Sequence, residues 1–505
     1  MIDPPMTRIV EGLAGLVAQT QAAAEAPFAL SPDMRLALVN LVYLVSAALF
    51  IFGLGKMSHP RTARRGNLMS SLGMLFAIAV TLLDRHILSY TVIAAGVIVG
   101  SIIGATIALR VKMTAMPQMV GFLNGSGGLA SAIVAFAEYM KLPADPRLDT
   151  VISIILSTII GMVTFTGSMV AFGKLEGMKV RGIALSSPIT FRMQHWLNLL
   201  LGVIVVGLGV MVAQHTGTGS ALAMTIAILL ISAILGILLV IPIGGADMPV
   251  VICLLNSYSG LAAMTTGFVL DNKCLIIAGS LVGASGMILT KIMCDAMNRS
   301  LLNVVAGGFG TGDLAPGAAP TPGGDIVVRR MDAEEAAMVL ESASSVIIVP
   351  GYGMAVAQAQ HAVAELAAVL AKRGVNVRFG IHPVAGRMPG HMNILLAEAN
   401  VPYEQLLDLE INSEFDHCDV AMVIGANDVV NPAARHNKSS PIYGMPILDV
   451  DKARTVMVCK RSLNPGFAGI ENELFGKENT VMLFGDAKTV VGDLVKELNA
   501  QGGGH

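Results

Sequence analysis

Charged side chains are scarce in this chain. Asp, Glu, Lys and Arg make up 13% of 505 residues, and between residues 195 and 290 only Asp247, Asp271 and Lys273 carry charge. That is too few for an ordinary soluble protein of this length. Net charge is also small, at −2, which removes the basic footprint expected of a nucleic-acid partner. The five cysteines (Cys253, Cys274, Cys294, Cys418 and Cys459) are dispersed and form no C-x-x-C pair. Neither a disulfide framework nor a cysteine metal site is expected from them. The first 30 residues lack a compact apolar core, so they are not expected to act as a cleaved signal peptide.

What the chain has instead is long apolar runs. Nine lie near residues 34–55, 67–83, 86–109, 116–137, 149–172, 195–213, 221–243, 249–270 and 275–294. Each is long enough for a helix to cross roughly 30 Å of hydrocarbon. The connections after the first, third and fifth runs carry Lys56, Arg61, Arg64, Arg65, Arg110, Lys112, Lys174, Lys179, Arg181 and Arg192. The alternate connections carry only Arg85, Lys141, Arg147 and Lys273. Basic loops stay in the cytoplasm, so the odd-numbered connections and the carboxyl-terminal tail are expected inside and the amino terminus outside. The domain boundaries that follow are 1–33 for an extracytoplasmic segment, 34–300 for the membrane domain, 301–330 for a Gly-, Pro- and Ala-rich linker, and 331–505 for a soluble domain.

Spans four and eight share a pattern. Met116-Pro117 is followed by Leu123-Asn124 and Gly128-Leu129-Ala130, and Met248-Pro249 by Leu255-Asn256 and Gly260-Leu261-Ala262, at identical spacing. Proline in a first turn removes no helix hydrogen bond, and the glycine permits close helix approach. The repeat predicts two amides at matching depth, lining a polar pathway in pseudo-symmetric halves. An asparagine in a membrane also serves simply to hold helices together. Ser168 is a further pathway candidate, although a serine beside Gly167 equally suits packing. Asp247, the one acid between residues 177 and 270, stands at the mouth of span eight. There it either gathers protons or caps the helix. His86, His195 and His215 fall near span ends, where interfacial placement is the expectation.

In the tail, strand-like runs at 345–350, 375–381, 419–425, 455–459 and 480–484 alternate with helical patterns at 354–373, 390–399, 428–436 and 487–499. Such alternation predicts a parallel sheet with helices on both faces and ligands at the carboxyl ends of its strands. The fold class expected is therefore a polytopic α-helical membrane bundle followed by a soluble α/β Rossmann-like domain. The turn Gly351-Tyr352-Gly353-Met354-Ala355-Val356 has the first two glycines of a dinucleotide loop and lacks the third. Its place after a strand and at the opening of a helix strengthens the reading. The second strand ends in Ile381-His382-Pro383, with no acid for a ribose 2′-hydroxyl. That absence favours NADP over NAD, and Lys460-Arg461-Ser462 supplies cationic donors for a phosphate. The loops Gly386 to Gly390 and Gly425 to Asp428 also fall at strand ends, where glycine lets backbone approach a ligand.

At these residues the chain resembles the beta subunit of the bacterial proton-translocating NAD(P) transhydrogenase. The likeness is dense in Gly-Gly-Ala-Asp-Met-Pro-Val-Val (244–251), Leu-Asn-Ser-Tyr-Ser-Gly (255–260), Met-Asn-Arg-Ser (297–300) and Ala-Gly-Gly-Phe-Gly (306–310). It continues through Pro-Gly-Tyr-Gly-Met-Ala-Val-Ala-Gln-Ala-Gln (350–360), Arg-Phe-Gly-Ile-His-Pro-Val-Ala-Gly-Arg (378–387) and Val-Ile-Gly-Ala-Asn-Asp (423–428).

The resemblance implies a proton-passing membrane domain and a tail that binds NADP(H). It implies hydride transfer from NADH held on a partner alpha subunit, in an enzyme of the Re/Si-specific type, with a dimer of alpha–beta units in a bacterial inner membrane. By similarity, nucleotide contacts fall on Gly351, Tyr352, Gly353, Val384, Ala385, Gly386, Arg387, Met388, Pro389, Gly425, Ala426, Asn427, Asp428, Lys460, Arg461, Ser462, Gly485, Asp486 and Ala487. The segment 460–469, with Phe467, is implied to close as a lid. Asp428 is the implied acid near the nicotinamide, with His382 nearby. Two departures stand out: Asn124 replaces a membrane histidine of many relatives, and Phe467 replaces a frequent tyrosine. An amide does not titrate near neutral pH, so the protonatable group is expected on another helix or on the partner. The rival expectation is an ion channel or transporter gated by a Rossmann-like nucleotide sensor, but such sensors usually keep the acid missing after the second strand.

Overall fold

The structure is a computed structural model describing residues 32–501, apart from 59, 85–89, 113–114, 144–145, 181–182, 186–187, 216–218, 245–246, 306–326 and 467. Most of the expected amino-terminal segment and linker, His86 and Phe467 lie outside the described residues. Residues up to Ile98 form one compact unit and those from Val99 another. Among the described residues nine helices are long and apolar enough to cross a membrane. They are α1 (Pro32–Met57), α2 (Pro60–Asp84), α3 (Tyr90–Arg110), α4 (Met116–Tyr139), α5 (Leu148–Glu176), α6 (Gln194–Gln214), α7 (Gly219–Val240), α8 (Met248–Val269) and α9 (Lys273–Ala296). In the first unit α1 and α2 are joined side by side by a Tyr43–Thr81 hydroxyl pair at 2.8 Å. The first connection is shorter than expected, because Arg61, Arg64 and Arg65 already belong to α2.

In the second unit α5 is central, packing on α4, α7 and α8. Small residues set the closest approaches: a β-carbon on Gly161 of α5 would stand 2.6 Å from the Gly128 carbonyl oxygen of α4. Such contacts replace a hydrophobic drive that lipid cannot supply between helices. A short hairpin, β1 (Lys179–Val180) with β2 (Ile183–Ala184), follows α5, and α10 (Leu301–Val305) follows α9. Outward apolar side chains such as Val203, Leu230 and Ile288 are exposed, as suits a lipid-facing surface.

The carboxyl-terminal sheet holds seven parallel strands: β3 (Arg329–Arg330), β4 (Ser345–Pro350), β5 (Asn376–Gly380), β6 (Leu406–Leu407), β7 (Val420–Ile424), β8 (Thr455–Lys460) and β9 (Thr480–Phe484), in the order β3-β9-β8-β7-β4-β5-β6. Side chains alternate between two cores. Val346, Ile348, Val420, Met422 and Met457 face one; Ile347, Val349, Ala421, Val423 and Val456 face the other. Because both faces are buried, the strands read as apolar runs.

Helices α11 (Ala333–Ser342), α13 (Gln360–Lys372), α14 (His391–Glu398) and α16 (Ala487–Gln501) cover the first face. The second face differs from expectation: short 3-10 turns bearing Ile411, Phe415, Val450, Leu474 and Phe475 cover it in place of long helices. The helix expected over 354–373 is two, α12 (Tyr352–Ala357) and α13, broken where Gln358 adopts φ 51°. That over 428–436 is a 3-10 turn followed by α15 (Ala433–His436). From β4 the chain winds outward through β5 and β6, and from β7 the other way through β8 and β9. The reversal lies between β4 and β7, where the carboxyl ends of strands part to leave a crevice.

Candidate functional site

That crevice is a cavity of ≈ 470 Å³, within the ordinary range for small-ligand sites. Its wall is built from five strand ends. Gly351, Tyr352 and Gly353 follow β4, and Val384, Ala385 and Gly386 follow β5. Gly425, Ala426, Asn427 and Asp428 follow β7, Lys460, Arg461 and Ser462 come from the end of β8, and Gly485, Asp486 and Ala487 follow β9. The two central turns fit only as glycine. A β-carbon on Gly353 would stand 2.6 Å from the Gly425 α-carbon, and Gly425 itself has φ 70°. Bare backbone thus forms the cavity floor, where a phosphate can approach closely.

The cationic end is coupled to the segment above it. Lys460 Nζ donates to the Asn464 carbonyl and lies 5.0 Å from the centre of the Phe475 ring. Burial pulls the Lys460 ammonium below its ordinary pKa, with the Asp428 charge pulling it back up. Asn464, Pro465, Gly466 and Ala468 line the cavity as well. The Asp428 carboxylate ties this segment down by accepting from the Ala468 amide at 3.0 Å. A side chain on Gly466 would collide with that carboxylate. These four lining residues fall within 460–469, the segment expected to act as a lid. Met297, Ile442, Met445 and Cys459 also line the cavity; they were not anticipated, because an apolar residue on a pocket wall reads as core in a sequence.

Arg387, Met388, Pro389 and His382 do not line the cavity. His382 is 1% exposed. Its Nε2 lies 2.7 Å from the Pro446 carbonyl oxygen and its Nδ1 accepts from the Val384 amide at 3.3 Å. A carbonyl can only accept, so Nε2 carries the proton. Burial lowers the imidazole to about 4, against the pull of that carbonyl. His382 is therefore a neutral strut holding the Val384 turn, and no acid–base step is assigned to it. His391, equally buried, accepts the Arg387 amide on Nδ1 at 3.1 Å; burial and the Arg387 charge lower it to about 4.

Among the membrane helices, the structure brings two of four pathway candidates together. Asn124 Nδ2 donates to Ser168 Oγ at 3.0 Å, both side chains buried. Asn124 Oδ1 has no partner among the described residues, and the Asn124 carbonyl accepts from Ser259 of α8 at 3.0 Å. Asn256, the repeat's second amide, is exposed. Ser257 takes the inward position and donates to the Gly283 carbonyl at 2.5 Å. Asp247 is fully buried and its carboxylate lies 3.2 and 3.3 Å from Arg299 Nη1. It makes no side-chain cap to α8, so the alternative of a solvated cap is set aside.

Within the second unit, the ends of α5 and α9 meet the α/β domain. Val384 packs on the cluster of Ala171, Leu175, Val240, Ile243 and Met248. Asn298 Nδ2 donates to the Tyr443 carbonyl at 3.0 Å. The connections after α5, α7 and α9 therefore share one side with the sheet, as the count of basic residues orders them.

Known proteins resemble the chain along most of its length. Residues 39–497 match the family model described as NAD(P) transhydrogenase beta subunit. Two sequences from Rhodospirillum rubrum, one from a designated strain and both named NAD(P) transhydrogenase subunit beta, are each 51% identical to the chain over 478 residues. The aligned region covers 92% of this chain and 100% of theirs.

Proposed function

The chain belongs to the NAD(P) transhydrogenase beta subunit family, and from that premise we propose that its cavity binds NADP(H). The bound nicotinamide accepts hydride from, or returns it to, NAD(H) on an alpha subunit, and the exchange is coupled to proton movement through the helices. The observation that carries the reading is the cavity at the switch point. It sets a side-chain-free floor, Gly351 to Gly353 with Gly425, beside Lys460, Arg461 and Ser462. The donor set fits NADP(H): bare backbone for the pyrophosphate, two cations and a hydroxyl for the 2′-phosphate, and no acid after β5 to meet a free 2′-hydroxyl.

Direct hydride transfer asks little of side chains beyond placing two carbons roughly 3–3.5 Å apart and excluding water. Asp428 contributes by holding the Ala468 amide and so the segment it belongs to, and Tyr352 and the 384–386 turn by fixing the cavity wall. In the membrane, we assign the pathway to the Asn124–Ser168 pair, to Asn256 and to the Asp247–Arg299 pair. Asn256 is exposed on this subunit, and we assign it to a part of the route that membrane helices of an alpha subunit would complete. We place the domains at 34–300 and 331–505, joined by residues 301–330 and preceded by an extracytoplasmic segment at 1–33. The assembly proposed is a dimer of alpha–beta units in the bacterial inner membrane, with the nucleotide domain in the cytoplasm.

The test is a titration of the detergent-solubilised chain with NADPH and with NADH. NADPH is expected to bind at least tenfold more tightly. Lys460→Ala and Arg461→Ala should each weaken NADPH binding about 10- to 100-fold, the worth of one charge-assisted hydrogen bond, while leaving NADH binding unchanged. Equal affinities would remove the 2′-phosphate site.

A further inference from the structure

The turn between β5 and α14 is a thin partition. Val384, Ala385 and Gly386 line the cavity, while Val384 also packs against the buried cluster to which Ala171 and Leu175 of α5 belong. The next residue, Arg387, spans the two sides. Its Nη1 donates to the Leu175 carbonyl at 2.6 Å, and its guanidinium carbon lies 4.4 Å from the centre of the Tyr352 ring. Tyr352 itself is part of the cavity wall.

The carbonyl that Arg387 takes is distinctive. Gly177, at φ 72°, ends α5, and in that cap the Gly173 and Lys174 carbonyls accept from the Met178 and Gly177 amides. The Leu175 carbonyl is one of the last-turn acceptors that a helix cannot satisfy itself. A guanidinium there completes the cap and meets the negative end of the helix. The backbone of the turn is fixed independently, by the Arg387 amide on His391 Nδ1. The side chain can therefore let go without unravelling the loop. Seven residues before Leu175 on the same helix, Ser168 accepts from Asn124. At 1.5 Å per residue the two points are about 10 Å apart along α5.

We propose that Arg387 is a positioning residue through which α5 reports to the nucleotide site. While Leu175 holds the guanidinium, the Tyr352 ring is pinned beneath it and the cavity keeps one shape. A displacement of α5 that withdraws the Leu175 carbonyl releases guanidinium and ring together, and NADPH affinity changes. This rests on the proposed function above, in which proton movement biases the helices.

The test uses the complete alpha–beta complex in proteoliposomes, with NADPH affinity measured with and without an imposed proton gradient. Wild type should show a ratio of about fivefold or more, the lower end of ordinary coupling. In Arg387→Gln the ratio should fall to within about twofold of unity while NADPH still binds. Arg387→Lys keeps the charge at the helix end but loses the planar fork over the ring, and should restore part of the ratio. If both variants lower the affinity by the same factor with and without the gradient, Arg387 is a ligand contact only and the inference is overturned. Should Arg387→Gln fail to bind, the ratio in Arg387→Lys decides on the same terms: a wild-type ratio overturns the inference, a reduced one supports it. A wild type without any gradient response would instead sink the coupling reading itself.

Discussion

His382 illustrates how a residue's surroundings decide its role. The sequence places a histidine beside a strand end, which suits an acid–base group as well as a strut. Burial and two fixed hydrogen bonds settle it as a neutral strut. The sign of its pH dependence follows. With a folded value near 4 and an unfolded value of about 6.5, the unfolded chain binds more protons between these limits. Stability is therefore full above pH 6.5 and falls as the pH drops towards 4, by on the order of 3 kcal/mol for this one group. Amide exchange in β4 and β7, corrected for intrinsic rates, should report that loss in the wild type and a smaller one in His382→Gln. Equal slopes would show that His382 titrates as freely in the folded domain as in the unfolded chain. The turns at 351–353 and 425–428 and the basic run 460–462 were legible because glycine and basic residues at strand ends have few other uses, whereas Val384, Ala385 and 485–487 came from the family resemblance alone. Met297 and Cys459 were not, since apolar side chains on a pocket wall and in a core look alike. Asn256 was legible as a polar repeat, but its outward direction was not, because a repeat fixes spacing and leaves helix rotation open.

At the scale of elements, length and hydropathy carried the nine spans and the five long strands. The two-residue strands β3 and β6 are too short for any periodicity to mark, and the 3-10 turns on the second sheet face lack the 3.6-residue repeat. What the spans do not reveal is which helices touch. Glycine packing supplies that. A leucine at Gly161 would drive its side chain into the Gly128 carbonyl and the Ala132 amide of α4 and separate Asn124 from Ser168. Gly161→Leu should destabilise the bundle by about 1–3 kcal/mol or more and abolish proton movement. Gly202→Leu, on a surface of α6 with nothing within 4 Å, should do neither. Thermal unfolding in detergent and vesicle acidification check the pair, and a harmless Gly161→Leu would remove the α4–α5 seam from the account.

For the whole molecule, the cavity at the strand ends and the Asn124–Ser168 pair belong to one compact unit. The ends of α5 and α9 touch the α/β domain within it. Helix movement thus has a short physical route to the cavity wall, which a membrane anchor for a separate reductase would not need. The distinction from a nucleotide-gated channel lies in stoichiometry, since a channel passes ions without turnover. The decisive measurement is internal pH in proteoliposomes of the alpha–beta complex during hydride exchange between the NAD(H) and NADP(H) pools. The account predicts proton movement in fixed proportion to hydride transferred, and both lost together when Asn124 is replaced by leucine. Hydride transfer at constant internal pH, or proton flow that continues without turnover, would contradict it.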